Sequence, residues 1–429
     1  MTIDTAASMW GEFSVMHAWA IATAAVVAAG CALVGTLLVV RRMSLLGDAI
    51  SHAVLPGIAV AVLAGGRPGG VLVLVGAVAA ALVTVLLVQV LRREGGLADD
   101  AGTGVVFTTL FALGVVIITA AASRIDLDPG CILYGILELV PFDTVRVAGW
   151  EMPRAFLTGA TVLMIVAAGL AATWKEQLFT AFDIDAARAV GLPVAAVTGG
   201  LLAATALVTV ASFEAVGAIL VVAMLVVPAA TAELLVRRLH VMALVAILVG
   251  VVAAVLGYLA AWRFDTSAAG MIAVVLGLEY VVAAIVAPED GVVARVAARL
   301  ALGWRVTCED TLALLWRADE AGAGVAPQPF RSPGEWAAGL WLAASGRIAR
   351  EAGRWGLTAI GRAEAETVVR SHRLWEAWLG RHADLPLDHL HPPAEWIEHH
   401  LGADLRRRIE ADVGAEESDP HGRSIPREP

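Results

Sequence analysis

The strongest constraint on this chain is a repeated pattern: stretches of about 20 residues with almost no charge, each long enough at 1.5 Å per residue to cross a bilayer. They fall near residues 17–40, 43–66, 70–91, 103–122, 155–173, 194–213, 215–236, 241–261 and 267–287. Backbone groups in lipid must be satisfied within their own segment, so such a chain folds as an all-α polytopic bundle. Composition agrees, with 59% of the 429 residues hydrophobic and 16% charged. Arg41/Arg42, Arg92/Arg93, Lys175 and Arg237/Arg238 punctuate alternate span ends, and the positive-inside bias makes those ends cytoplasmic. The N-terminus is then outside and the C-terminus inside, with 8 or 9 transmembrane helices. Residues 1–16 lack a basic run, so no cleaved signal is expected.

The pattern stops near residue 300. Half of the 30 basic and half of the 40 acidic residues lie in the last 129 positions, together with seven of the ten histidines. A membrane domain over 1–290, a charged domain over 300–412 and a disordered tail over 413–429 are the expected divisions. Cys31, Cys131 and Cys308 are far apart, which excludes a disulfide framework and a thiolate zinc cluster. Lys175 is the sole lysine and the net charge is −10, so no polybasic segment points to nucleic acid.

The second span contains two groups that lipid disfavours. Residues 41–57 read RRMSLLGDAISHAVLPG, with Asp48 and His52 four apart and therefore on one helical face. Counted inward from the arginines, Asp48 lies roughly 8 to 10 Å and His52 roughly 15 Å into the bilayer. Such groups require a partner or a cavity, which makes them functional candidates, although an Asp–His hydrogen bond that merely ties helices together satisfies the same pattern. Pro56-Gly57 breaks the helix, and freed carbonyls are tolerated only beside water or buried protein. Carboxylate with imidazole suits a divalent transition metal better than calcium or magnesium.

This run resembles the signature of the ABC-3 family, the permease subunits of bacterial manganese, zinc and iron importers. Three further stretches match in order: 100–107 (DAGTGVVF), 126–135 (DLDPGCILYG) and 216–232 (VGAILVVAMLVVPAATA). The resemblance covers about residues 15–290, and its third motif is more like the manganese/iron branch. It implies an intramembrane metal site at Asp48 and His52, with Mn²⁺, Fe²⁺ or Zn²⁺ as the transported ion. It further implies a bacterial inner-membrane location, an extracytoplasmic solute-binding protein and a second permease subunit, identical or different. Residues 174–193 (WKEQLFTAFDIDAARAVGLP) form an amphipathic stretch ended by Gly191 and Pro193. By the same resemblance it is the coupling helix that docks into an ATPase, with Phe182, Asp183, Ala187 and Gly191 within it. No G-x-x-x-x-G-K-[ST] loop occurs, so ATP hydrolysis is expected of a separate ATPase subunit and the chain itself is not expected to be an enzyme. The acidic loop with Asp126, Asp128, Glu138 and Asp143 is either a receiver of metal or a solvated loop.

In the charged domain, helical periodicity is expected at 309–321, 333–344 and 364–382, with breakers at 321–329 and 353–361. His372 and Glu376 are spaced i, i+4; Glu395, Glu398 and His399 are spaced i, i+3, i+4, and His391 lies one turn upstream. Nitrogen and oxygen donors without thiolate favour manganese, iron or zinc. Residues 356–361 (GLTAIG), 369–376 (VRSHRLWE) and 395–401 (EWIEHHL) resemble the wing end and the two metal-binding helices of diphtheria-toxin-repressor-type regulators, especially the manganese branch. That resemblance implies a mostly α winged-helix-like domain whose ligands are Asp310, His372, Glu395, Glu398 and His399, with Glu376 and His391 as an accessory set. It places a further carboxylate where Ala313 stands. The recognition helix expected at 332–345 carries no Arg, Lys, Asn or Gln, which argues against DNA as a partner. The leading expectation is thus a metal permease with a cytoplasmic metal-sensing extension. The alternative is a membrane-tethered, metal-dependent transcription regulator.

Overall fold

The computed structural model describes residues 15–65, 70–95, 99–120, 137–147, 149–322, 330–351, 353–383, 386, 394, 397–414 and 418–426. The chain divides into two compact units, Met1–Ala294 and Arg295–Pro429.

In the first unit, α1 (Val15–Val40) is apolar around its whole circumference and packs on α9 (Val194–Leu235) and α10 (Leu239–Phe264). Small residues permit the close approach that apolar lipid does not itself drive. A Cβ on Gly35 would stand 1.8 Å from the Leu225 carbonyl oxygen. The span expected at 43–66 is broken, as its Pro56-Gly57 pair requires, into two shorter helices, α2 (Ser44–Ala53) and α3 (Leu55–Leu63), with Pro56 near the start of the second. Proline has no N–H to give the carbonyl four residues earlier, which belongs to His52. Then follow α4 (Val71–Gly95), α5 (Asp99–Ala120), the hairpin β1 (Thr144–Val147) with β2 (Trp150–Pro153), and α6 (Arg154–Ala172). The short helices α7 (Trp174–Phe182) and α8 (Ile184–Ala189) lead into α9. As expected, α9 holds two spans, Val194–Phe213 and Ala215–Leu235, which meet near the non-helical Gly217 (φ 74°, ψ 164°), a conformation open to glycine. After α10, the unit ends with α11 (Ala268–Val286). Among the described residues seven segments are long and apolar enough to span a membrane. With the apolar part of α4 and the α2–α3 pair, they occupy the nine expected positions.

In the second unit, α12 (Val292–Glu320), α13 (Pro333–Ala344), the hairpin β3 (Ile348–Glu351) with β4 (Arg354–Leu357), and α14 (Ala359–His382) surround Cys308, Leu312, Leu315, Phe330, Leu342 and Ile348. Ser332 caps α13, its Oγ accepting the Glu335 N–H at 3.2 Å, while the Glu335 carboxylate accepts the Arg331 N–H. The wing ends earlier than expected. Thr358 Oγ1 accepts the Gly361 N–H, so Ala359-Ile360-Gly361 open α14 rather than close the hairpin. A second core joins Leu374 and Ala377 of α14 to Ile409 and Val413 of α15 (Ala403–Val413) and to Ile425. Disorder is expected from 413 onward, yet Ser418 and Ser424 form a bridge, Asp419 is buried, and Arg373 donates to the Ser424 carbonyl at 2.5 Å. The expected gap at 323–329 lies outside the described residues.

Candidate metal centres and coupling segment

Asp48 occupies the fifth position of α2 and His52 the ninth, one turn apart on a helix that packs against α5 and α9. His52 is half-buried, its ring 5.8 Å from Phe107 and 5.6 Å from Phe111 of α5. Gly47 lets the helix press against α9, where a Cβ would meet Leu225 Cδ2 at 2.8 Å. The acid and the imidazole thus lie on a short, proline-interrupted helix held between two longer ones.

The turn before that helix is fixed from outside. Arg42 ends α1 in the left-handed region (φ 57°), and Met43 donates to the Leu38 carbonyl at 2.8 Å. Beside it, Arg41 donates to Gln177 Oε1 at 2.6 Å, Thr180 Oγ1 at 2.7 Å and Thr198 Oγ1 at 3.3 Å. One guanidinium therefore ties the root of the Asp48 helix to α7 and α9. Following α7, Asp183 caps α8 by accepting the Asp185 and Ala186 N–H groups at 3.0 and 2.8 Å. Ala187 is buried, and Gly191 (φ 81°) ends the turn. Phe182, Ile184 and Val190 remain 72%, 49% and 67% exposed, an apolar tip with no partner among the described residues. In the loop expected to be acidic and open, Glu138 caps α11 through the Ala268 N–H at 2.9 Å and Asp143 pairs with Arg154 at 3.3 Å. Asp126 and Asp128 lie outside the described residues.

The second unit brings five of its seven candidate ligands into one chain of contacts. His399 Nε2 lies 3.1 Å from Asp310 and 3.5 Å from Glu398, and its Nδ1 lies 2.6 Å from Glu309. Glu398 reaches His372 Nδ1 at 2.6 Å, and His372 Nε2 lies 3.1 Å from Glu376. Donor atoms of Asp310, Glu398 and His399 fall within 4.8 Å of one another, as do those of Glu376, Asp419 and His421. Burial would lower the His399 imidazole, but hydrogen bonds to Asp310 and Glu309 and nearby negative charge raise it to about 9. His372 is likewise raised, its burial outweighed by Glu376 and Glu398. The His399 imidazole, protonated at neutral pH, thus serves as counter-charge to Asp310, Glu309 and Glu398. The donor set, imidazole and carboxylate alone, fits manganese, iron or zinc. His391 and Glu395 lie outside the described residues.

Sequence reasoning missed Glu309, Arg317, Asp419 and His421. Arg317 lies 3.7 Å from Glu398, and His421 lies 3.7 Å from Glu376. The available signal for the latter pair was the turn at 419–422, where Asp419 Oδ1 accepts the His421 and Arg423 N–H groups. Arg41, Gln177 and Thr180 had no signal, because their meeting spans more than 130 residues.

Residues 13–287 match the ABC 3 transport family, and residues 358–427 match the iron dependent repressor, metal binding and dimerisation domain. The manganese transport system membrane protein MntD of Bacillus subtilis is 41% identical over 65% of this chain and 95% of its own length. The zinc transport system membrane protein TroD of Treponema pallidum is 34% identical over 63% of this chain and 74% of its own. The chelated iron transport system membrane protein YfeD of Yersinia pestis is 35% identical over 62% and 84% respectively. The solved structure of PsaBC from Streptococcus pneumoniae in complex with Fab superposes at a TM-score of 0.56 and 29% identity, covering 67% of this chain and 98% of that one. With the family match spanning well over half of a chain whose apolar helices fill its first unit, this multi-pass membrane protein belongs to the ABC 3 transport family and carries a repressor-type metal-binding domain after its last span.

Proposed function

We propose that the chain is the permease subunit of an inward transporter for Mn²⁺, Fe²⁺ or Zn²⁺, with Asp48 and His52 as its intramembrane metal ligands. The observation that supports this most is the proline-broken helix bearing both residues between α5 and α9, in a family whose relatives are named for manganese, zinc and iron. An ion shedding water in lipid needs donors fixed at that depth, and an imidazole with a carboxylate supplies two. A separate ATPase supplies the work, an extracytoplasmic binding protein delivers the ion, and a second permease subunit completes the pathway. Cells holding the rest of the transport genes should lose manganese, iron or zinc when this gene alone is deleted. Unchanged content of all three metals would sink the reading.

The coupling segment is proposed to be Phe182–Gly191, whose apolar tip suits a cleft on the ATPase, with Arg41 carrying its movement to the Asp48 helix. Arg41→Ala is expected to leave the ATPase bound while ATP hydrolysis no longer tracks metal transport. Ala187→Pro with Asp185→Lys is expected to release the ATPase or to uncouple it. Co-purification and the ratio of ATP hydrolysed to metal moved distinguish these results, and normal coupling in both variants refutes the assignment.

The second unit is proposed to lie in the cytoplasm and to sense metal there. A tethered transcription regulator is the alternative reading. Against it, α13 has no Arg, Lys, Asn or Gln and exposes Trp336, Leu340 and Trp341, an apolar surface unsuited to phosphates. Metal-dependent binding of an operator fragment at physiological salt would favour it instead.

A further inference from the structure

The first half of α12 carries an apolar stripe that is exposed among the described residues. Val292, Val296, Leu300 and Trp304 recur every four residues, with Val293 beside them. At 100° per residue they cover an arc of about 120°, with Arg299 bordering its Val292 edge and Arg295 and Leu302 beyond it. Val293, Val296 and Leu300 are 58%, 48% and 69% exposed, whereas Cys308, Leu312 and Leu315 farther along the same helix are buried in a core. The exposed half thus does not owe its helix to packing within the domain.

Charge is as one-sided as hydropathy. No acidic residue occurs from Gly291 to Cys308. The acids just before it, Glu289 and Asp290, are already paired with Arg237 at 3.2 and 2.5 Å. Among the described residues no carboxylate pairs with Arg295 or Arg299. Trp304 sits at the end of the stripe, its ring 6.2 Å from that of Trp341, which extends the apolar surface.

We infer that residues 292–304 of α12 form an interfacial helix, with the Val296/Leu300/Trp304 side entering the headgroup and acyl boundary and Arg295 and Arg299 meeting anionic headgroups. Three features identify the occupant as the bilayer rather than another protein. The stripe begins six residues after Val286, the end of the last apolar span, so it lies within about 20 Å of lipid along the chain. Its only charged residues, Arg295 and Arg299, are both cationic, matching an anionic leaflet. A Trp/Leu/Val arc flanked on one edge by arginines is an amphiphile that binds in the plane of an interface. The consequence is a domain held at the membrane surface by its own first helix.

The test uses the full chain reconstituted in phosphatidylcholine vesicles with and without phosphatidylglycerol. Nitroxides are placed at Leu300→Cys or Arg299→Cys, with Cys31, Cys131 and Cys308 replaced by serine. In phosphatidylglycerol vesicles the label at 300 should collide several-fold more with oxygen, relative to a water-soluble nickel chelate, than the label at 299. Adding Arg295→Glu should shrink that difference. Equal access of nickel to both labels overturns the proposal, as does spin-spin broadening that marks contact with a second copy. If the serine background does not fold, a photo-crosslinking benzoylphenylalanine at position 300 in the native-cysteine chain gives the second reading. Crosslinks to lipid support the interfacial helix, and crosslinks to a second copy or to the ATPase overturn it.

Discussion

Asp48→Asn and His52→Ala should each abolish metal uptake while the protein still inserts and still binds its ATPase. The expected loss is at least about 10- to 100-fold, since removal of even a supporting group around a bound metal ion has that effect. Asparagine keeps the size and hydrogen bonding of aspartate but removes the charge. A purely structural Asp–His tie would therefore survive Asp48→Asn largely intact, whereas a metal ligand would not. His52 packs against Phe107 and Phe111, so His52→Ala also removes ring contacts. His52→Phe separates the two effects, because it keeps the rings together and offers the ion nothing. Uptake measured with radioactive manganese or iron in cells making equal amounts of each variant decides the matter. Normal uptake in Asp48→Asn and in His52→Phe would remove both residues from the pathway.

The spans were legible because lipid imposes length and composition on every segment that crosses it, and what escaped was the residue at which each break falls. The break expected at Pro56-Gly57 falls between Ala53 and Leu55, and the spans expected at 194–213 and 215–236 meet at the non-helical Gly217. Both are backbone matters, one a missing donor and the other a positive φ, that hydropathy does not register. In the second unit, ligands on a single helix turn could be read from spacing, as with His372 and Glu376. Glu309 and Asp419 could not, because each is defined by contact with a residue from a distant element. Arg41 is the clearest case. Its role at a span end predicted an orientation marker, and its hydrogen bonds to Gln177, Thr180 and Thr198 make it a cross-link as well.

The second unit should be stabilised by Mn²⁺ or Fe²⁺ in a way that grows with pH. Without metal, His399 holds its proton up to about 9 in the fold, against an ordinary value of 6.5. A group raised on folding contributes its stability fully below the unfolded value, so that contribution is present below about pH 6.5 and fades as pH rises through 9. A metal ion must displace the same proton, so its affinity strengthens over the same range. The thermal shift on adding metal to residues 295–429, a unit with two apolar cores of its own, is therefore expected to widen between pH 6.5 and 9. At a hundredfold excess over Kd the gain is about 2.7 kcal/mol, or about 10 °C for a domain of this size. Glu398→Ala with His399→Ala should erase it, because those two residues join the Asp310 end of the contact chain to the His372 end. The same double variant in the whole transporter separates a sensor from a bystander. Bound metal changes transport only if it favours one transport state over another. Uptake at high internal metal should then rise in the variant, while uptake under starvation stays as it was. A metal-stabilised domain whose loss leaves uptake unchanged at both levels would be a store of metal with no control over the permease.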